Sequence, residues 1–143
     1  MLFFHAGRAG FSSAGFVRNA RTGGGVWMYL HEYQAKEILA RYAIAAPEGR
    51  IADTAEDAEA IAREIPAKKF AVKAQVLAGG RGKAGGVALV ATARAVREAA
   101  ADMLGKVLVT DQTGPQGCIV RRVYVEAGID IERSLFIAAM IDP

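Results

Sequence analysis

Leu77-Ala-Gly-Gly-Arg-Gly-Lys-Ala-Gly-Gly86 is the stretch whose reading decides the fold. It places five glycines and two cations in ten residues. Such a segment has little side chain to pack and much backbone to expose. Its N–H groups can approach an anion closely, and Arg81 and Lys83 add positive charge beside them. Phosphate is the guest that this chemistry suits.

The flanks decide which glycine loop this is. Gly80-x-Gly82-x-x-Gly85 has the spacing of a dinucleotide-binding loop, which must follow a strand and open a helix. The run Phe70-Ala-Val-Lys-Ala-Gln-Val76 supplies the strand. Val87-Ala-Leu-Val90 follows, apolar and β-prone, so the loop joins two strands. A Walker A loop needs Ser or Thr after its Gly-Lys, and Ala84 stands there. A protein kinase carries its phosphate lysine on the strand after the loop, whereas here Lys73 lies on the strand before. The consistent reading is a glycine-rich hairpin over the phosphates of a nucleotide, with a strand lysine beneath. A flexible surface hairpin is the plainer alternative. Lys73 sits among apolar and small neighbours, and a lysine so placed needs an anion. A protein carboxylate would also serve.

Working outward, His31 to Ile44 predicts a helix with Ala35, Ile38, Leu39 and Tyr42 on one face. Glu32 and Lys36 can pair at i, i+4, and Pro47 lies beyond the helix end. His31 reads as a helix-start residue, with no second ligand nearby. Pro47–Ala52 reads as extended. Thr54-Ala-Glu-Asp57 opens a second helix with Ala58, Ile61, Ala62 and Ile65 inward, and Pro66 stops it. Thr92 caps a third helix with the stripe Val96, Ala99, Ala100 and Met103, and Gly105 follows as its C′ residue. Strands are expected at Lys106–Thr110, at Cys118–Glu126 and over 131–141, with turn chemistry at 112–117. Helices beside a mostly antiparallel sheet make a two-layer α/β lobe.

Composition narrows the class. The chain has 143 residues, 52% of them hydrophobic and 23% charged, with a net charge of +3. That fits one globular domain. The cations are scattered among acids after residue 28, so no nucleic-acid stripe is visible. The single cysteine, Cys118, excludes an intramolecular disulfide; it fits a reducing compartment and reads as a small apolar strand residue. No apolar run approaches the roughly 20 residues of a membrane span. No catalytic nucleophile, acid–base pair or metal cluster is apparent.

Residues 1–27 differ from the rest, with Arg8, Arg18 and Arg21, Ser12 and Ser13, and no acid. They resemble a transit peptide. Gly23-Gly24-Gly25 also needs GGN codons, a purine-rich tract of ribosome-binding character just upstream of Met28. A start misassigned upstream is therefore the competing reading. Either way, 1–27 is expected to be a leader and 28–143 the folded body.

Val72-Lys-Ala-Gln-Val76 with Ala78–Gly86 resembles the nucleotide loop of the succinyl-CoA synthetase β subunit, an ATP-grasp protein. The resemblance takes in Leu30-His-Glu-Tyr-Gln-Ala-Lys36, Leu104–Thr110, Gln112-Thr113 and Val125-Glu-Ala127, and so runs from about Met28 to the end. It implies the N-terminal subdomain of an ATP-grasp fold, cut short at Pro143 relative to a longer subunit. It implies ATP or GTP with Mg²⁺, the metal ligands lying beyond the residues present. It assigns Lys73, Gly80, Arg81 and Gly82 to the phosphates, and Glu126 and Ile129 to the linker that meets the purine. Glu126 otherwise reads as a solvated strand end. Ser134 stands where that family commonly carries a ribose-binding Glu, which puts a direct hydroxyl clamp in doubt.

The same resemblance implies a partner α subunit bearing a phosphohistidine, with succinate and CoA as small molecules and neither nucleic acid nor membrane as a partner. The implied reaction makes succinyl-CoA at the expense of a nucleoside triphosphate, and the region present is not expected to catalyse it alone. A malate–CoA ligase β chain, a citrate-cleaving relative and a truncated non-catalytic nucleotide-binding module are the alternatives. The implied location is cytoplasmic, or the mitochondrial matrix if residues 1–27 are a transit peptide.

Overall fold

A computed structural model describes residues 15–18, 27–133 and 135. Ser134 and most of the strand expected over 131–141 lie outside the described residues, as do most of residues 1–27. Residues 131–133 form no strand.

The first ladder stands apart from the rest. Strand β1, Gly15–Arg18, pairs antiparallel with β2, Trp27–Leu30. Helix α1 then spans Glu32–Arg41, and Gln34 Oε1 accepts the His31 N–H at its start. It ends earlier than the periodicity predicts because Ala43 adopts a positive φ of 54°. Ile44 N–H donates to Leu39 O and Ala43 N–H to Ala40 O, both at 3.0 Å, which closes the helix in a Schellman motif.

The main sheet has the order β3-β8-β4-β5, with every ladder antiparallel. Its strands are β3 (Gly49–Ala52), β4 (Phe70–Ala74), β5 (Val87–Val90) and β8 (Val123–Ala127). Helices α2 (Ala55–Glu64) and α3 (Ala93–Met103) pack on each other and on this sheet. Thr54 Oγ1 accepts from Asp57 N–H and Thr92 Oγ1 from Ala95 N–H, so both expected N-caps form. Gly105 takes a φ of 76° just after α3, as its C′ role requires. The core between layers holds Ala58, Ala62, Ile65, Phe70, Val72, Val96, Ala100, Met103, Val123 and Val125.

The stretch expected as one strand over Cys118–Glu126 is two. Strands β6, Val107–Leu108, and β7, Cys118–Ile119, form a separate ladder. Val120 then donates its N–H to Lys106 O and accepts from Gly105 N–H. Its side chain is fully buried, and the chain enters β8 only at Val123.

The stripe of α1 also differs from expectation. None of its residues is buried, and Ile38 and Tyr42 are 39% and 76% exposed. Strand alternation explains where α1 goes instead. In β4 and β8, Phe70, Val72, Ala74, Val123, Val125 and Ala127 face the core. Lys73, Tyr124 and Glu126 therefore project from the opposite face. Helix α1 covers that polar face through Glu32 and Lys36, one turn apart.

Candidate functional site

Three cations and two carboxylates meet between α1, β4, β8 and the glycine loop. Lys73 Nζ lies 2.9 Å from Glu32 Oε1 and 2.5 Å from Glu126 Oε1. Lys36 pairs with Glu126 and, at 3.1 Å, with Glu32; it also sits 4.9 Å from the centre of the Tyr124 ring. Arg81 donates one guanidinium N–H to Glu32 Oε2 at 2.7 Å and another to the Ala74 carbonyl at 2.6 Å. The sheet register makes this possible. Ala71 faces Glu126 and Lys73 faces Tyr124, so Lys73 and Glu126 are diagonal neighbours on one face. Gly49 faces Glu126 from β3, where an added Cβ would fall 2.7 Å from Glu126 Cβ and 2.8 Å from the Tyr124 ring.

The electrostatics follow from this crowding. Burial alone would raise the Glu32 pKa, but Lys73, Arg81 and Lys36 outweigh it and hold the carboxyl at about 2. Burial opposes the charged form of Lys73, yet Glu126 and Glu32 together raise its pKa. Burial, Glu126, Glu32 and Glu37 push the Tyr124 phenol up to about 12. His31 is lowered by burial and by Arg122 and Arg81. It stays neutral at pH 7, with a buried Nδ1 that has no hydrogen-bond partner among the described residues. Gln75 Oε1 is a second such acceptor.

The loop closes on itself in a compact turn. Ala84 N–H donates to Gly80 O, Gly85 N–H to Gly82 O and Gly86 N–H to Arg81 O. Gly79 N–H donates to Gln112 Oε1 at 2.6 Å. The N–H groups of Gly80, Arg81, Gly82 and Lys83 have no such partner among the described residues. Gly80 has a φ of 76°, a conformation glycine adopts without strain. A Cβ at Gly86 would lie 2.8 Å from a Leu108 methyl and 3.2 Å from the Arg81 carbonyl oxygen, so the position is tight for any larger residue.

Of the residues singled out from sequence, Lys73, Arg81 and Glu126 come together, and Gly80 and Gly82 flank Arg81. The carboxylate partner that a buried Lys73 could demand is present twice. Glu126 is 4% exposed and paired, so it is not a solvated strand end. Ile129 lies past the end of β8 with its side chain 58% exposed, outside this cluster. Ser134 lies outside the described residues. Glu32 is the site residue that sequence reasoning missed. Its i, i+4 pairing with Lys36 was legible, but its contacts to Lys73 and Arg81, 41 and 49 residues away, were not.

Among the described residues no group of three or more His, Cys, Asp or Glu could hold a metal ion. Glu32 and Glu126 are already committed to cations, so this cluster does not fit Mg²⁺. No helix among the described residues is long and apolar enough to cross a membrane.

Comparison with known proteins adds a family and a set of relatives. A family model described as an ATP-grasp domain matches residues 29–143. Relatives named as β subunits of ADP-forming succinate–CoA ligase match over 115 residues, which is 80% of this chain and 30% of each relative. Those of Bacillus velezensis, Geobacillus kaustophilus and Bacillus subtilis are 46%, 50% and 45% identical. The chain thus spans about 30% of the length of the relatives it matches.

Proposed function

The chain belongs to the ATP-grasp domain family, and from that premise we propose that its residues 29–143 form the phosphate-holding part of a nucleotide site in the β subunit of a succinate–CoA ligase. The observation that carries the reading is the meeting of Lys73 and Arg81 on one carboxylate, beside the unpartnered N–H groups of Gly80, Arg81 and Gly82. Lys73 comes from β4 and Arg81 from the glycine loop. The cluster of three cations and two carboxylates keeps a net positive charge. Lys73 has a third N–H and Arg81 has further donors to offer an anion.

In this reading the phosphates lie against the loop and take up those spare donors. The side of the linker at Glu126 and Ile129 meets the purine. Phosphoryl transfer depends on positioning and on neutralising charge. The residues here supply the first, and Lys73 and Arg81 part of the second. Mg²⁺ would supply the rest when bound, on ligands outside the described residues. The relay that the family resemblance implies passes the phosphoryl group from the nucleotide to a histidine on a partner α subunit and from there to the succinate carboxylate, and the CoA thiol displaces it as phosphate. The relatives' names support succinate as the acid and ATP as the nucleotide.

The test uses the full-length β chain paired with its α chain. Incubation with γ-labelled ATP places acid-labile, base-stable label on the α chain, and succinate with CoA discharges it. Absence of label on the partner refutes the relay, and discharge by malate or citrate alone refutes succinate. In the same assembly Lys73→Ala lowers MgATP affinity about 10- to 100-fold, the loss of one charge-assisted hydrogen bond. Unchanged affinity in a folded variant refutes the phosphate role of Lys73.

A further inference from the structure

We propose that Glu32 is a positioning residue for the phosphate site, holding Lys73 and Arg81 side by side, so that the seating of α1 sets nucleotide affinity. The inference rests on the nucleotide reading given above and assigns a role to a residue which that reading leaves unused.

Glu32 is not a surface partner of Lys36. Its side chain is 13% exposed, whereas the i, i+4 pair Arg94–Glu98 on α3 is 86% and 62% exposed. Both its oxygens are engaged. Oε1 accepts from Lys73 and pairs with Lys36, and Oε2 accepts from Arg81. Glu126 cannot replace it, because it pairs with Lys73 and Lys36 and not with Arg81. Without the Glu32 charge, Lys73 and Arg81 would repel each other directly. Arg81 would keep only the Ala74 carbonyl, and the loop that carries it would lose its fixed point on α1.

The arrangement has a physical precedent on a different fold. In protein kinases a strand lysine serves the nucleotide phosphates only while a glutamate on a neighbouring helix holds it. Here the lysine is on β4 and the glutamate in the first turn of α1. The helix itself buries none of its residues. Its ion pairs with the lobe run through Glu32 and Lys36, so a shift of α1 leaves Lys73 to Glu126 alone and Arg81 to the Ala74 carbonyl alone.

The experiment compares MgATP with adenosine, which has the base and ribose but no phosphate, in the assembled full-length protein. Glu32→Gln keeps the shape and removes the charge. It weakens MgATP binding about tenfold and leaves adenosine binding unchanged. Glu32→Asp keeps the charge on a shorter arm and falls between wild type and Glu32→Gln. Equal losses for MgATP and adenosine would make the role merely structural and overturn the inference. Unchanged or tighter MgATP binding would also overturn it, the latter because Glu32 would then be a competitor of the phosphate. If Glu32→Gln does not fold, Glu32→Asp carries the test, and wild-type MgATP affinity in that variant overturns the inference. Lys73→Ala separates the two levels. A loss there with none in Glu32→Gln refutes only the positioning role, whereas no loss in either refutes the nucleotide site itself.

Discussion

Acidification should detach α1 before the lobe unfolds. Glu32 has a pKa held at about 2 against an ordinary 4.5, because Lys73, Arg81 and Lys36 outweigh the effect of its burial. A carboxyl whose pKa is depressed by folding stabilises the folded form above its ordinary pKa, and that stability is lost as the pH falls through the folded value. The window therefore runs from about pH 4.5 down to about pH 2. The gap between the two values corresponds to at most about 3 kcal/mol. Helix α1 buries no residue, so it has little apolar burial to offset that loss. The α2–α3 layer, by contrast, rests on buried aliphatic side chains. Amide hydrogen exchange along the chain is the assay. Protection in Ala35–Arg41 should fall progressively below pH 4.5 while Val72 and Val125 remain protected. Glu32→Gln should flatten the pH dependence of α1 and lower its protection at neutral pH. If α1 protection is unchanged between pH 5 and pH 2.5, or falls only together with that of β4 and β8, the reasoning is refuted.

Two further substitutions test the packing. Ala43→Gly should stabilise α1 by about 0.5–1 kcal/mol, because Ala43 holds a positive φ of 54° at the helix end and glycine does so without strain; greater α1 protection in hydrogen exchange is the check. Gly49→Ala should destabilise the lobe by about 1–3 kcal/mol, since its Cβ would fall 2.7 Å from Glu126 Cβ and 2.8 Å from the Tyr124 ring. A urea midpoint equal to that of wild type would show that β3 slides to make room.

Local signals were legible wherever neighbours in sequence decide the outcome. Thr54 and Thr92 cap their helices as their spacing indicates, and β5 falls on Val87–Val90 as read. The demand of Lys73 for an anion was also readable, from its apolar and small strand neighbours. What supplied the anion was not readable, since Glu32 and Glu126 reach it from a helix and a strand far along the chain. The run Cys-Ile-Val-Arg-Arg-Val-Tyr-Val-Glu contains no breaker, yet it divides. Val120 is claimed by Lys106 and Gly105, and those are tertiary bonds. Helix α1 ends sooner than its periodicity predicts for a related reason. Nothing in its periodicity shows that Ala43 turns left-handed, which glycine would have announced.

The place of β8 between β3 and β4 sets an order of events during synthesis. Gly49–Ala52 has β8 as its ladder partner in the main sheet, and Val123–Ala127 is made roughly 70 residues later. At about 5–20 residues per second, that is a wait of about 4–14 s. Within the main sheet, the β4–β5 hairpin is the pair that can close early from neighbouring segments. Until β8 arrives, the aliphatic face of β4 lacks its central neighbour, and the emerging chain presents two unsatisfied strand edges to its surroundings. The lobe therefore matures late and all at once, and a nascent chain stalled before Val123 is the form most exposed to chaperones and to aggregation.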